Sequence, residues 1–457
     1  MAVYSLEPVD VPRVQTAYRT IRTKLPVPES LPIFESLRRS EPQSMMGQPP
    51  VVWHAADDCT VSDPWGNRWL DWSSCVLVSN AGHGAPEIRE ALTRKIEQGL
   101  LATYVFVHED RAKLTAALQA LAPDPPNYRV FLLSTGSEAC ENCIKLAKTY
   151  ALEKYGPDRK ILVTFQNAFH GRTLGAQLAG GMEKLKHWIV DRDPSFVQVP
   201  FPDGYKNEDT RFDLFLESLA AQGVRPESIA GVMTESYQGV GPDFLPPDYA
   251  QALAAFCRQH DIVLILDEVQ AGFGRTGRMF GYEHYGIAPD LIACGKGITS
   301  SLPLAAVIGR ADIMGLYGPG SMTSTHSGSP LCVAASLANL EVFRKRPLVE
   351  NAAAMGGILI PGLDRIRARH PAVLGCLHGK GLVAGIQVVR PGTREPDPET
   401  ATAVNETCFH KGLLLFAPVG VGGECLKIAP PLTIAEEPLR ESLAVFEEAV
   451  DEVLAGR

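Results

Sequence analysis

The feature that most constrains this chain is a series of short, nearly continuous apolar runs separated by amphipathic stretches. The runs are Tyr128 to Leu133, Ile161 to Phe165, Ala230 to Thr234, Ile262 to Leu266, Leu291 to Cys294 and Leu304 to Ile308. A run of four to eight apolar residues with no polar alternation suits a strand covered on both faces, as in a parallel sheet. Between several of them lie stretches with helical spacing: Glu138 to Lys154, Pro247 to His260 and Pro330 to Arg344. Such alternation predicts an α/β domain whose mostly parallel sheet is covered by helices. The boundaries read as 1–87 for an N-terminal arm and part of a small domain, 88–345 for the large domain, and 346–457 for a C-terminal small domain.

The first 60 residues are Pro-rich and weakly patterned, which predicts an extended arm. A strand–turn–strand follows at Cys59 to Ser62 and Arg68 to Trp72. Beyond Arg346-Pro347 the order reads helix, strand (Leu382 to Val389), exposed loop, helix, two strands and a final helix. This is a smaller α/β domain that the N-terminal segment could complete. A net charge of -9 excludes a phosphate-backbone binder, which needs a basic face. No segment reaches about 18 consecutive apolar residues, and the acidic start lacks a signal-peptide pattern, so a soluble cytoplasmic enzyme is expected. Ten scattered cysteines are too few for a disulfide scaffold. The pair Cys140 and Cys143 lacks further ligands at zinc spacing and reads as two small buried thiols, with no metal site expected.

In open parallel sheets, ligands bind beyond the carboxyl ends of the strands. The loops there hold Ser134-Thr135-Gly136-Ser137, Phe169-His170-Gly171-Arg172, Glu235-Ser236-Tyr237, Asp267-Glu268-Val269-Gln270 and Gly295-Lys296-Gly297. Thr135-Gly136-Ser137, between a strand and a helix, offers an anion site or a plain cap by Ser134 or Ser137. Asp267 ends the most apolar strand, where a carboxylate needs a partner, either a cationic ring nitrogen or an arginine such as Arg275. Lys296, between two glycines after a buried strand, suits a Schiff-base amine. Two motifs are set aside. Gly272 to Gly277 spells G-x-G-x-x-G but is not followed by an amphipathic helix, and Gly295-Lys296 lacks the rest of a phosphate-binding loop.

Phosphate cradle, acidic strand end, aromatic plate and isolated lysine together resemble the site of a class III (ornithine/ω-amino acid type) aminotransferase of the pyridoxal-phosphate fold type I family. The resemblance runs from Trp65 onward through Gly66 to Asp71, Gly136 to Ala139, Phe169 to Thr173, Asp267 to Gly277, Lys296, Thr325 before Gly328-Ser329-Pro330, and Pro430 to Thr433. It implies pyridoxal 5′-phosphate as cofactor, with Lys296 forming the Schiff base and Asp267 pairing with the pyridine nitrogen. Phe169 and Val269 would lie on the two ring faces, with Gln270 near the ring hydroxyl and Gly136 and Ser137 at the phosphate. His170 and Glu235 would support these groups, near the ring and the substrate entry. A homodimer is implied, with Thr325 contributed from the neighbouring subunit.

Departures fall on the substrate side. Lys427 stands where many members carry a carboxylate-gripping arginine, Ser236 replaces a proline, His378 an arginine, and Ser329 an asparagine. Lysine is a point charge without the planar fork of arginine. An acidic group other than a simple α-carboxylate, such as a phosphate, phosphonate or sulfonate, is one expectation, and a carboxylate held elsewhere is the other. The expected reaction is transfer of an amino group from an ω-amino or amino-alkyl donor to a 2-oxo acid. The alternative is a lyase eliminating ammonia or phosphate from a phospho- or phosphono-amino alcohol such as 1-hydroxy-2-aminoethylphosphonate. A catalytically silent module is disfavoured by Lys296 and Asp267.

Overall fold

The computed structural model describes residues 4–456. The chain forms two compact units, residues 86–347 and residues 1–85 with 348–457.

The larger unit is built on seven strands: β1 (Tyr128–Leu133), β2 (Ile161–Phe165), β3 (Phe196–Val199), β4 (Ile229–Glu235), β5 (Val263–Asp267), β6 (Leu291–Cys294) and β7 (Ala305–Arg310). Their spatial order is β1-β7-β6-β5-β4-β2-β3. The five strands β6, β5, β4, β2 and β3 pair in parallel. β7 runs antiparallel to both β6 and β1, so the sheet is mixed. This corrects the reading of Leu304 to Ile308 as one more parallel strand. Only ten residues separate Cys294 from Ala305, too few for a helical crossover, so the chain turns straight back. β3, a short edge strand, was not expected.

Helix α1 (Gly136–Tyr155) covers one face with small buried residues, among them Ala139, Cys140, Cys143 and Ala147. A side chain at Gly231 on β4 would begin 3.2 Å from the Ala147 Cβ, so helix and sheet approach closely because both sides are small. On the other face α2 (Pro247–Gln259) buries Tyr249, Leu253 and Phe256 among Phe165, Phe201 and Phe215. Phe165 meets Phe201 edge-on at 5.7 Å, which adds about 0.5–1.5 kcal/mol to burial alone. Every residue of β4, β5 and β6 is buried, the pattern that made these strands legible as unbroken apolar runs.

In the other unit, segments from both chain ends share one sheet. Leu413–Leu414 lies parallel to Arg68–Asp71, which continues through Thr60–Ser62 to Ala55–Asp57. Ile21, Leu25, Trp69, Phe409 and Leu414 form its core. A separate antiparallel sheet joins Leu374–Lys380, Val383–Val388 and Cys425–Ile428, the first of which was not anticipated. The Pro-rich arm also holds a ten-residue helix, Leu31–Ser40, against expectation. Pro32 sits in its first turn, where a missing N–H removes no hydrogen bond. Among the described residues no helix is long and apolar enough to cross a membrane.

Candidate active site

Parallel register aligns the ends of three strands: Asp267 of β5 pairs with Glu235 of β4 and with Ala293 of β6. The loops leaving these strands carry most of the residues singled out in the sequence. Asp267 is buried, and its carboxylate accepts three hydrogen bonds, which leaves room for one more donor. Its Oδ1 accepts from the Val269 N–H at 3.0 Å, and its Oδ2 accepts from the Cys140 thiol at 3.3 Å. Oδ2 also lies 2.8 Å from His170 Nδ1, which donates because a carboxylate can only accept. These partners replace the arginine considered from sequence: Arg275 is not bonded to Asp267. Buried His170 is raised above its ordinary value, desolvation being outweighed by Asp267 and Glu235. Its Nε2 has no partner among the described residues.

Polar atoms of Cys140, His170 and Asp267 all lie within 4.8 Å of one another. His170 and Asp267 meet in a direct hydrogen bond, with the Nδ1 proton between them. Glu235, also buried, accepts from the N–H groups of Phe169 at 3.0 Å and Gly239 at 2.8 Å. Burial pushes its carboxyl up to about 7. The first of those bonds ties half-buried Phe169 to the end of β4, and the Arg172 guanidinium lies 5.6 Å from its ring.

The start of α1 is capped by Thr135, whose hydroxyl accepts from the Glu138 N–H, rather than by Ser134 or Ser137. The Ala139 N–H closes on the Thr135 carbonyl, so Gly136 and Ser137 present the two N–H groups left without an intrahelical acceptor. Side-chain volume is excluded around them. A Cβ at Gly136 would fall 2.7 Å from Val269 Cγ1, and one at Gly295 3.2 Å from the same atom. Gly171, at φ +130°, approaches Ser137 so closely that a Cβ would sit 2.3 Å from its Oγ.

Lys296 follows Gly295 in the short link from β6 to β7. Its backbone is left-handed, φ +43°, a conformation that costs a non-glycine residue about 1–3 kcal/mol and clusters at functional sites. The link is held from α3 (Pro330–Lys345): Asn339 Nδ2 donates to the Gly297 and Ile298 carbonyls at 2.9 and 3.1 Å, and Ser336 Oγ donates to Ile298 at 2.9 Å. Burial lowers the Lys296 amine from its ordinary value, partly offset by Asp267 and Glu235.

Gln270 sits over Gly239, where a Cβ would meet its amide at 2.3 Å. Thr325 is exposed on the loop before α3. Lys427 belongs to the other unit, buried on Cys425–Ile428, with its Nζ 5.7 Å from the centroid of the Phe416 ring. The sequence did not single out Glu268 or the role of Cys140. Glu268 accepts from Ser236 Oγ, from Gly281 N–H at 2.7 Å and from Tyr282 N–H at 3.0 Å. Its place directly after Asp267 was the available signal.

A phosphorylated cationic heterocycle with an aldehyde fits this donor set. The buried carboxylate suits a ring N–H, the two N–H groups with the Ser137 hydroxyl suit a phosphate, and the low-pKa amine suits an aldehyde. Independent comparison agrees. The aminotransferase class-III family model matches residues 43–450. A probable 4-aminobutyrate aminotransferase of Bacillus subtilis (strain 168) is 32% identical over 394 residues, 84% of this chain and 88% of its own. An isoleucine 2-epimerase of Lentilactobacillus buchneri is 32% identical over 419 residues, covering 89% and 91%. Among solved structures, an ornithine aminotransferase from Toxoplasma gondii, with partial occupancy of pyridoxal phosphate at its active site, superposes with a TM-score of 0.83. It is 25% identical and covers 94% of this chain and 96% of that one. From these matches and the geometry at the strand ends, the chain belongs to the class-III aminotransferases, a family whose cofactor is pyridoxal 5′-phosphate.

Proposed function

We propose that the enzyme moves an amino group from an ω-amino or amino-alkyl donor to a 2-oxo acid. The observation that carries this reading is Lys296 on the link leaving β6, next to the β5 end where buried Asp267 is held by His170, Cys140 and Val269. Pyridoxal phosphate, when bound, supplies an aldehyde that accepts the amino group and a ring that stores the electron pair released at the substrate carbon. Asp267 would hold the ring N–H, Gly136 and Ser137 the phosphate, and Phe169 and Val269 the two ring faces, with Gln270 near the ring hydroxyl. His170 and Glu235 support Asp267 and Phe169 through the bonds described above. Lys296 would hold the aldehyde and would serve as the base that moves the proton at the substrate Cα. Its lowered pKa leaves a larger neutral fraction for that task.

Lys427 would receive the acidic end of the substrate. A second copy of the chain would bring Thr325 to the phosphate. Exposed Leu101, Phe106 and Val107, with a groove of about 560 Å³ lined by Val107, Met322 and Thr323, support a homodimer through this region. The cysteines, all free, fit a reducing cytoplasm.

The test is a panel of amines assayed with and without pyruvate. Donor alone should convert the visible band once, and acceptor should restore it. Ammonia released without any acceptor would replace this reading with the elimination alternative. Lys296→Ala should lose the borohydride-fixed cofactor while keeping the fold. Lys427→Ala should raise KM for an anionic donor much more than for a neutral amine, and equal effects would remove its assignment.

A further inference from the structure

Asp267 carries three hydrogen bonds before any ligand arrives, and one donor is unusual. Cys140 lies on α1 one turn beyond Gly136, so the helix that offers its first N–H groups at one end of the site sends a thiol to the carboxylate at the other. The thiol is buried beside two carboxylates, which pushes it well above its ordinary range and keeps it protonated, hence a donor. A serine here would also bond the carbonyl one turn back, as hydroxyls inside helices do, whereas a thiol competes little for that carbonyl. Cys143, one turn further, is equally buried, but no hydrogen bond to Asp267 is formed.

We propose that Cys140 is a positioning residue for Asp267. Its S–H fixes the carboxylate orientation together with His170 and Val269 and stabilises the charged form. A carboxylate so stabilised is a weaker base, and the proton it shares with a ring nitrogen stays on nitrogen. This rests on the assignment of Asp267 to the cofactor ring made above.

The experiment uses the cofactor-loaded enzyme and reads the pH midpoint of its visible band, together with cofactor retained on dialysis. Cys140→Ala removes the donor, so Asp267 draws the ring proton toward itself. The ring becomes less electron-withdrawing, and the chromophore keeps its own proton to higher pH. The midpoint should rise by about 0.5 pH unit or more. Cys140→Ser, whose hydroxyl is shared with the carbonyl one turn back, should fall between the parent and the alanine variant, and Cys143→Ala, the control for lost thiol volume, should not move it. Cys140→Val, which fills the space without a donor, should match the alanine variant. If Cys140→Ala and Cys140→Val both lose the cofactor while Cys143→Ala retains it, the proposal also stands. A midpoint unchanged in Cys140→Ala, an equal shift in Cys143→Ala, or cofactor loss from all three would overturn it. A parent enzyme with no borohydride-sensitive band would instead overturn the cofactor assignment itself.

Discussion

The contact between Gly136 and Val269 allows a worked test of how tightly the strand-end loops are packed. In Gly136→Ala the new Cβ falls 2.7 Å from Val269 Cγ1 and 3.1 Å from Cγ2. Carbon atoms prefer about 3.5–4.0 Å, so the shortfall approaches 1 Å. Val269 cannot turn away freely, since a β-branched side chain has few χ1 wells and Gly295 crowds the same Cγ1. Overpacking of this kind costs about 1–3 kcal/mol, and alanine at a helix start recovers at most about 1 kcal/mol, so a net loss of about 1–2 kcal/mol is expected. Val269→Ala removes both clashing methyl groups. In the double variant the clash is gone, and the two effects should miss additivity by about 1 kcal/mol in the favourable direction. Thermal unfolding of the cofactor-free protein reads this directly, at about 2–4 °C per kcal/mol for a unit of this size. Strict additivity of the two melting shifts would refute the argument, because it would mean that the loops adjust without cost.

Two further outcomes follow from buried polar groups. Burial pushes Glu268 up to about 7, so the folded protein holds a proton there that the unfolded chain releases near 4.5. Its stabilising effect is complete below pH 4.5 and declines by about 1.4 kcal/mol per pH unit as pH rises toward 7. Glu235 adds a slope of the same sign, so Glu268→Gln should roughly halve the decline in melting temperature across that window, and an unchanged slope would show that Glu268 is ionised in the fold. Gln387 is buried with neither amide atom paired among the described residues. An unmet buried amide costs about 1–3 kcal/mol, so Gln387→Met, of similar shape, should raise the melting temperature by a few degrees, and a fall would mean that the amide has a partner in solution.

Six of the seven large-sheet strands could be read from sequence because helices on both faces leave no polar alternation to interrupt them. The seventh, Phe196–Val199, is four residues long, sits at the sheet edge with Gln198 inside it, and is bracketed by Pro194 and Pro200. The direction of β7 was not legible, since buried strands of either sense look alike. Only the ten-residue gap before Ala305 carried that information. Asp267, Lys296 and Glu235 were accessible because position at a strand end is itself a chemical statement. The role of Cys140 was not, because it depends on which side of α1 faces the end of β5, and a thiol at helical spacing reads first as packing. Ser236 and Glu268 bond to each other across two adjacent strand ends, a pairing set by the lateral order of β4 and β5 that no local motif records.

The reversal of β7 has a consequence for the lysine itself. In an ordinary crossover the residue after a strand is tethered on one side and drifts into a helix on the other, but here the chain returns at once and the span bearing Lys296 has no slack. Opening the backbone between Thr299 and Ala305 to make new termini should let that amine swing loose, whereas new termini at the exposed Pro157–Asp158 turn should leave it taut.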